Sequence, residues 1–179
     1  MKHSSDFVLA LLTILCGFVV FGKGVFLKFT NLECESFDKS LTSFDKCRLK
    51  ALGRHNVSLN IYIKFNPSLY PMNNIKINAQ FHQRGSFGPY IYNDTMSFCE
   101  FMKNPKRWMF WKIIWEAILP ATNMNHSCPV NHDVIIKDLS LKEDMMTMIP
   151  FPPNTYQIRL RFFNSTLPGF ECRMHLTVY

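Results

Sequence analysis

The sequence predicts a mainly all-β fold: an antiparallel sandwich of about seven or eight strands, with one or two short helices inserted after the fifth. Three observations predict it. Apolar residues alternate with polar ones over most of the chain, the period of strands with one buried and one wet face. Pro, Gly and Asn punctuate these segments at short intervals. One aromatic segment, which holds all three tryptophans, drops the period of two.

The elements follow in chain order. The start, MKHSSDFVLALLTILCGFVVFGKG, joins a basic end to an uncharged apolar run from Phe7 to Phe21 and then to Gly22 and Gly24. That order is the pattern of a cleaved secretory signal over residues 1–24. The run falls short of the roughly 20 residues a spanning helix needs, so no membrane span is expected after cleavage. Residues 25–179 then form one β-sandwich domain. VFLKFTNL is a weak first strand. FDKCRLKAL turns Cys47, Leu49 and Ala51 inward and Lys46, Arg48 and Lys50 outward. HNVSLNIYIKF sets Val57, Leu59, Ile61, Ile63 and Phe65 against Ser58, Asn60, Tyr62 and Lys64. NIKINAQFH does the same with Ile75, Ile77, Ala79 and Phe81. The turn-rich NPSLYPMNN between them suits a link between neighbouring antiparallel strands.

The aromatic segment predicts two helices. Thr95 to Lys103 would be capped by Asn93 or Asp94 and end before Pro105. Lys106 to Leu119 would be stopped by Pro120, with Trp108, Trp111, Trp115 and Ile118 at helical spacing. A helix apolar nearly all round is either buried core or the cover of something apolar. HDVIIKDLSL is a second weak strand. YQIRLRF buries Tyr156, Ile158, Leu160 and Phe162, and FECRMHLTVY aligns Phe170, Cys172, Met174, Leu176 and Val178.

Composition limits the function. The net charge is +7, but the cations are scattered without a run, which is the pattern of a solvated surface, and no nucleic acid is expected. A cleaved signal removes Cys16 and leaves Cys34, Cys47, Cys99, Cys128 and Cys172, whose default fate in an oxidising compartment is disulfide formation. The odd number leaves one thiol over. Sequons at Asn56, Asn93, Asn125 and Asn164 are N-glycosylation candidates that fit the same compartment.

The stretch NHSCPVNHD gathers His126, Cys128, His132 and Asp133. Its histidines are six apart, and no second Cys/His pair completes a metal-ligand pattern, so no metal and no cofactor is expected. Cys99 is a candidate partner for Cys128, which would remove the thiolate a nucleophile needs. No nucleophile elbow, phosphate loop or His-Glu-x-x-His is present. No catalytic residue is assigned, and the chain is not expected to be an enzyme.

The ordered blocks FTNLECESFDKSLTSFDKCRLKALGR, FHQRGSFGPYIYNDTMSFCEFMKNP, NMNHSCPVNHDVIIKDL and IPFPPNTYQIRL resemble a large secreted insect family, domain of unknown function 1091, from about Phe29 to Arg161. The family looks like a distant relative of the ML (MD-2-related) lipid-recognition sandwich, an immunoglobulin-like arrangement of two sheets that splay around an acyl chain or sterol. Some relatives are implicated in contact chemosensation. The resemblance favours the pairs Cys34–Cys47 and Cys99–Cys128 and leaves Cys172 as a buried unpaired thiol. Other connectivities stay open, including Cys34–Cys172 with Cys47 left over. PFPPNTY carries Asn154 where many members have Gly, and Asn tolerates the positive φ such a turn uses.

The expected function is therefore secreted, extracellular binding of an apolar small molecule (lipid, hydrocarbon or pheromone-like). Ile61, Ile63, Phe81, Phe98, Trp108, Trp111 and Trp115 are the expected lining. The alternative is an extracellular interaction module with a solid core that docks on a receptor.

Overall fold

The computed structural model describes residues 27–54, 56–84, 90–141, 152–165 and 167–179. The expected leader and its cleavage site lie outside the described residues, as does Phe151 of the proline-rich turn. The described residues form eight strands: β1 (Leu27–Ser36), β2 (Thr42–Ala51), β3 (Val57–Phe65), β4 (Lys76–Gln83), β5 (Tyr92–Ser97), β6 (Val134–Ser140), β7 (Asn154–Phe163) and β8 (Phe170–Val178). Two helices, α1 (Phe98–Lys103) and α2 (Met109–Ile118), stand between β5 and β6. Every paired strand is antiparallel. The sheets are β1-β8-β7-β4-β5 and β2-β3-β6, so the predicted sandwich is the observed one.

The alternation read from the sequence sets which face each strand buries. Leu59, Ile61, Ile63 and Phe65 of β3 share one continuous core with Ile77, Ala79 and Phe81 of β4 and with Phe170, Cys172, Met174, Leu176 and Val178 of β8. Phe162 stacks on Phe170 at 4.7 Å between ring centres, and Phe44 and Phe65 meet Phe170 at 5.9 and 5.7 Å. Aromatic rings from β2, β3, β7 and β8 therefore join the two sheets. Gly169 turns the chain into β8 at φ +111°, where a Cβ would come within 2.4 Å of the Phe162 carbonyl oxygen. Only glycine fits there.

Three expectations need correction. NPSLYPMNN does not join neighbouring strands, because β3 and β4 lie in different sheets. Asn66 caps a 3-10 turn at Pro67–Leu69, and the buried Met72 then pairs through its backbone with Val130, with N–H to O distances of 2.9 and 3.0 Å. The link is a crossing from one sheet to the other, held by that bridge. Second, Asn93, Asp94 and Thr95 are not helix caps or helix; they belong to β5, and Asn93, Asp94 and Thr95 pair with Gln80, Ala79 and Asn78 of β4. Third, Asn154 opens β7, and among the described residues Asp138 is the non-glycine with positive φ.

Two polar residues depart from the wet face assumed for them. Ser58 is buried, with its hydroxyl 3.4 Å from the Lys50 carbonyl. Glu171 is 1% exposed on β8, and Arg159 and Arg173 bring guanidinium nitrogens to 2.7 and 3.3 Å from its carboxylate. A carboxylate this buried is tolerable only when so paired.

The disulfides are Cys34–Cys47, which ties β1 to β2 across the two sheets, and Cys99–Cys128, which ties α1 to the loop before β6. The Cys34–Cys172 alternative is not used, although those residues face each other in the β1–β8 register. Cys172 is a free, buried thiol. Burial, with help from the neighbouring Glu171 charge, pushes it up to about 12. A thiol so protonated and enclosed is a poor nucleophile. Iodoacetamide should leave Cys172 unlabelled in the native protein and modify it after denaturation; labelling of the native protein at the same rate would contradict this placement. Among the described residues no helix is long and apolar enough to cross a membrane.

Candidate functional site

The edge strands β5 and β6 belong to different sheets, and the helical insert runs from one to the other. The opposite edges, β1 and β2, are already clamped by Cys34–Cys47. The insert therefore sits where the sandwich is not otherwise closed, and its anchors can be traced residue by residue.

The first anchor is on β5. The Asp94 carboxylate accepts from the Tyr92 hydroxyl at 3.0 Å and from the Trp111 indole N–H at 2.9 Å, both on Oδ2. The Tyr92 ring lies 4.0 Å from that of Phe110, which meets Phe81 of β4 edge-on at 5.4 Å. Burial raises the Tyr92 hydroxyl above its ordinary range, and its bond to Asp94 adds to the rise. It stays a donor at any physiological pH.

The second anchor is at α1. Phe98 N–H donates to the Ile75 carbonyl at 2.9 Å, and Phe98 and Phe101 pack on Trp115 at 5.7 and 6.0 Å. Cys99–Cys128 closes the insert covalently. The third anchor is on β6: Thr122 bridges to Ile136. The Asn123 side chain also accepts from Ile135 N–H at 2.9 Å and donates to the Asp133 carbonyl at 2.8 Å.

Asp133 is the hub at the foot of β6. Its carboxylate accepts from the Tyr62 hydroxyl (3.0 Å), the Tyr70 hydroxyl (3.1 Å) and Phe65 N–H (3.0 Å). Burial alone would raise its carboxyl, but these three bonds outweigh burial and hold it below the usual carboxylate range. Tyr70 is pushed up to about 12 by burial and then by Asp133, and Tyr62 is raised by its Asp133 bond. Because Asp133 binds protons less readily folded than unfolded, it stabilises above the unfolded carboxylate value of about 3.9, and that contribution is lost as pH falls through its folded value. Asp133→Asn should lower the denaturation midpoint at neutral pH and flatten the acid limb below about pH 4. Urea midpoints across a pH series test this, and parallel curves for variant and wild type would contradict it.

The predicted lining residues fall in two places. Ile61 and Ile63 are buried on the inner face of β3. Phe81, Phe98, Trp111 and Trp115 gather with α1 and α2, Phe98 and Trp111 being buried and Trp115 half-buried. Trp108 is half-buried and caps α2 rather than lying within it. Phe101, Phe110 and the Tyr92–Asp94 pair belong to the same cluster and were not singled out from the sequence. Their signal was there in Phe101, three residues after Phe98, and in Phe110, four before Ile114; Tyr92 and Asp94 were hidden by reading that stretch as a cap.

None of these residues lines the open cleft of about 360 Å³ formed by Asn78, Gln80, Thr95, Arg159, Arg161 and Phe163. That cleft is on the outer, polar face of β4, β5 and β7, opposite Ile77, Ala79 and Phe81. It does not suit an apolar ligand. Of the sequon asparagines, Asn56, Asn93 and Asn125 are exposed, while Asn164 is half-buried and accepts from Leu167 N–H at 2.6 Å.

No curated protein matches the chain. The family model described as a protein of unknown function (DUF1091) matches residues 74–158. That span runs from β4 through β5, the insert and its anchors to the first half of β7. Over that span, just under half of the chain, the sequence is similar to this family, domain of unknown function 1091.

Proposed function

We propose that the protein is a secreted, non-enzymatic binding protein for an apolar small molecule, taken up at the edge between β5 and β6 under the aromatic insert. One observation carries this reading. α2 is apolar on nearly every side, yet only Trp111 of its residues is buried. Met109 is 74% exposed at its start, and Leu119 is exposed at its end. Ile91, just before β5, and Ile135 of β6 are exposed to solvent as well. An apolar helix left half in water, tethered at each end, has the properties of a cover over an apolar site.

In this reading α2 moves outward on its anchors, and the ligand takes the place of the contacts that Trp115 makes with Phe98 and Phe101 and that Trp108 makes with the core. Affinity comes from apolar area withdrawn from water, roughly 25 cal/mol per Å², and selectivity from the shape of the aromatic wall. The splayed sandwich of the ML domains is the parallel. Binding of a fluorescent fatty-acid probe tests it: Trp115→Ala should weaken the probe substantially, whereas Arg161→Ala in the outer cleft should leave it unchanged. Unchanged binding in both Trp111→Ala and Trp115→Ala would defeat the proposal.

A second reading has its own support. Phe98 and Trp111 are already in contact with neighbours of the insert, which favours a filled core whose exposed edge docks on an extracellular receptor. A stable cross-linked protein partner, lost on Met109→Glu, together with no uptake of the probe, would favour it.

A further inference from the structure

The disulfide-pinned loop before β6 folds back so that two histidines far from any metal-ligand spacing meet. His126 Nε2 and His132 Nε2 are 2.5 Å apart, with the rings inclined at 66°. Their other nitrogens decide what this contact is. His126 Nδ1 lies 2.7 Å from the Ser127 carbonyl oxygen, and His132 Nδ1 lies 2.7 Å from the Asp133 carbonyl oxygen. A carbonyl oxygen only accepts, so both Nδ1 atoms carry the proton and donate it. Asn123 Nδ2, 3.2 Å from His132 Nδ1, donates to the same Asp133 carbonyl and does not compete for that role.

Each neutral ring is thereby fixed as the Nδ1–H tautomer, and two Nε2 lone pairs point at each other. Two lone pairs at this distance repel unless a cation lies between them. Backbone carbonyls that hold Nδ1–H and free Nε2 are also the usual outer shell of metal-binding histidines. Both rings are half-buried, so one side of the pair is open to water.

We propose that His126 and His132 form a two-histidine site for a divalent, imidazole-preferring transition metal such as Cu(II) or Zn(II). Nε2–metal bonds of about 2.0–2.1 Å at a tetrahedral angle place the two nitrogens about 3.3 Å apart. The rings need to part by only about 0.8 Å to reach that separation. Both ligands come from the loop fixed by Cys128 and by the Asp133 hub, so the chelate is assembled by the fold. Water completes the coordination on the open side. The group holds no third His, Cys, Asp or Glu ligand among the described residues, so the site is a binding or clamping site of moderate affinity rather than a closed structural centre.

The test uses the full secreted protein, stripped with a chelator and titrated with Cu(II) or Zn(II) by calorimetry. One equivalent per chain is expected. His126→Ala and His132→Ala should each weaken binding by at least about tenfold, as even the loss of an outer-shell partner commonly does. His82→Ala and His175→Ala should leave it unchanged. Cu(II) electron paramagnetic resonance of the wild type provides a check that needs no variant: splitting from two imidazole nitrogens is expected. No stoichiometric metal, or Cu(II) without two nitrogen ligands, would overturn the proposal and leave a proton shared between the rings.

Discussion

Trp111→Ala is expected to be among the most damaging single changes, lowering stability by about 3–5 kcal/mol. The ring is 4% exposed at the point where α2 meets the five-stranded sheet, and truncation leaves a cavity that its neighbours cannot fill. The indole N–H also donates to Asp94 at 2.9 Å, so the variant strips one of the two donors from a partly buried carboxylate oxygen. Trp111→Phe separates the two effects. It keeps much of the ring and loses the hydrogen bond, for a cost nearer 0.5–1.5 kcal/mol from the bond. Urea denaturation followed by far-ultraviolet circular dichroism measures both. An alanine variant as stable as the phenylalanine variant would mean that α2 is not anchored through the Trp111 ring.

Removing the Cys99–Cys128 bridge by a double alanine substitution should cost about 3.6 kcal/mol, estimated from chain entropy for its 29-residue separation. The Cys34–Cys47 bridge, with a separation of 13, should cost about 2.9 kcal/mol on the same scale. The order matters more than the values. The longer loop contains both helices, so losing it should also raise hydrogen exchange across Phe98–Ile118 before the sheets respond. Losing Cys34–Cys47 should loosen β1 and β2 instead. Equal exchange patterns in the two variants would show that the insert is not held as a separate unit.

Strands with one clean apolar face were legible in the sequence. β3 and β8 carry their alternation over nearly their whole length, and the burial follows it. β5 was not legible, because Tyr92–Ser97 is a short edge strand whose polar residues look like helix caps. Pairing with β4, together with the Trp111–Asp94 bond, decides its state, and neither is local. The crossing from β3 to β4 was misread for a similar reason: its turn residues specify a turn but not the sheet reached afterwards. Glu171 alternated correctly onto the outer face, yet Arg159 and Arg173 bury it there, and no period reveals a cross-strand ion pair.

The candidate site was legible in part. Aromatic spacing pointed to the insert and to Trp111 and Trp115, and the resemblance supplied the disulfides that were found. The inner-face isoleucines of β3 were chosen by alternation alone, which marks core positions whether or not a cavity adjoins them. The two histidines six residues apart looked unrelated, because their meeting depends on Cys128 and on Asp133 fixing both ends of one loop. Three-dimensional closure, not spacing, creates that pair.

The central claim is that the edge under α2 holds an apolar ligand. Native mass spectrometry of the protein secreted from insect cells, followed by organic extraction, tests it most directly. The account predicts a bound hydrocarbon, fatty acid or sterol that is released on denaturation and reduced in the Trp115→Ala variant. A protein that travels at its bare mass, and remains there after exposure to a mixed lipid extract, would contradict it.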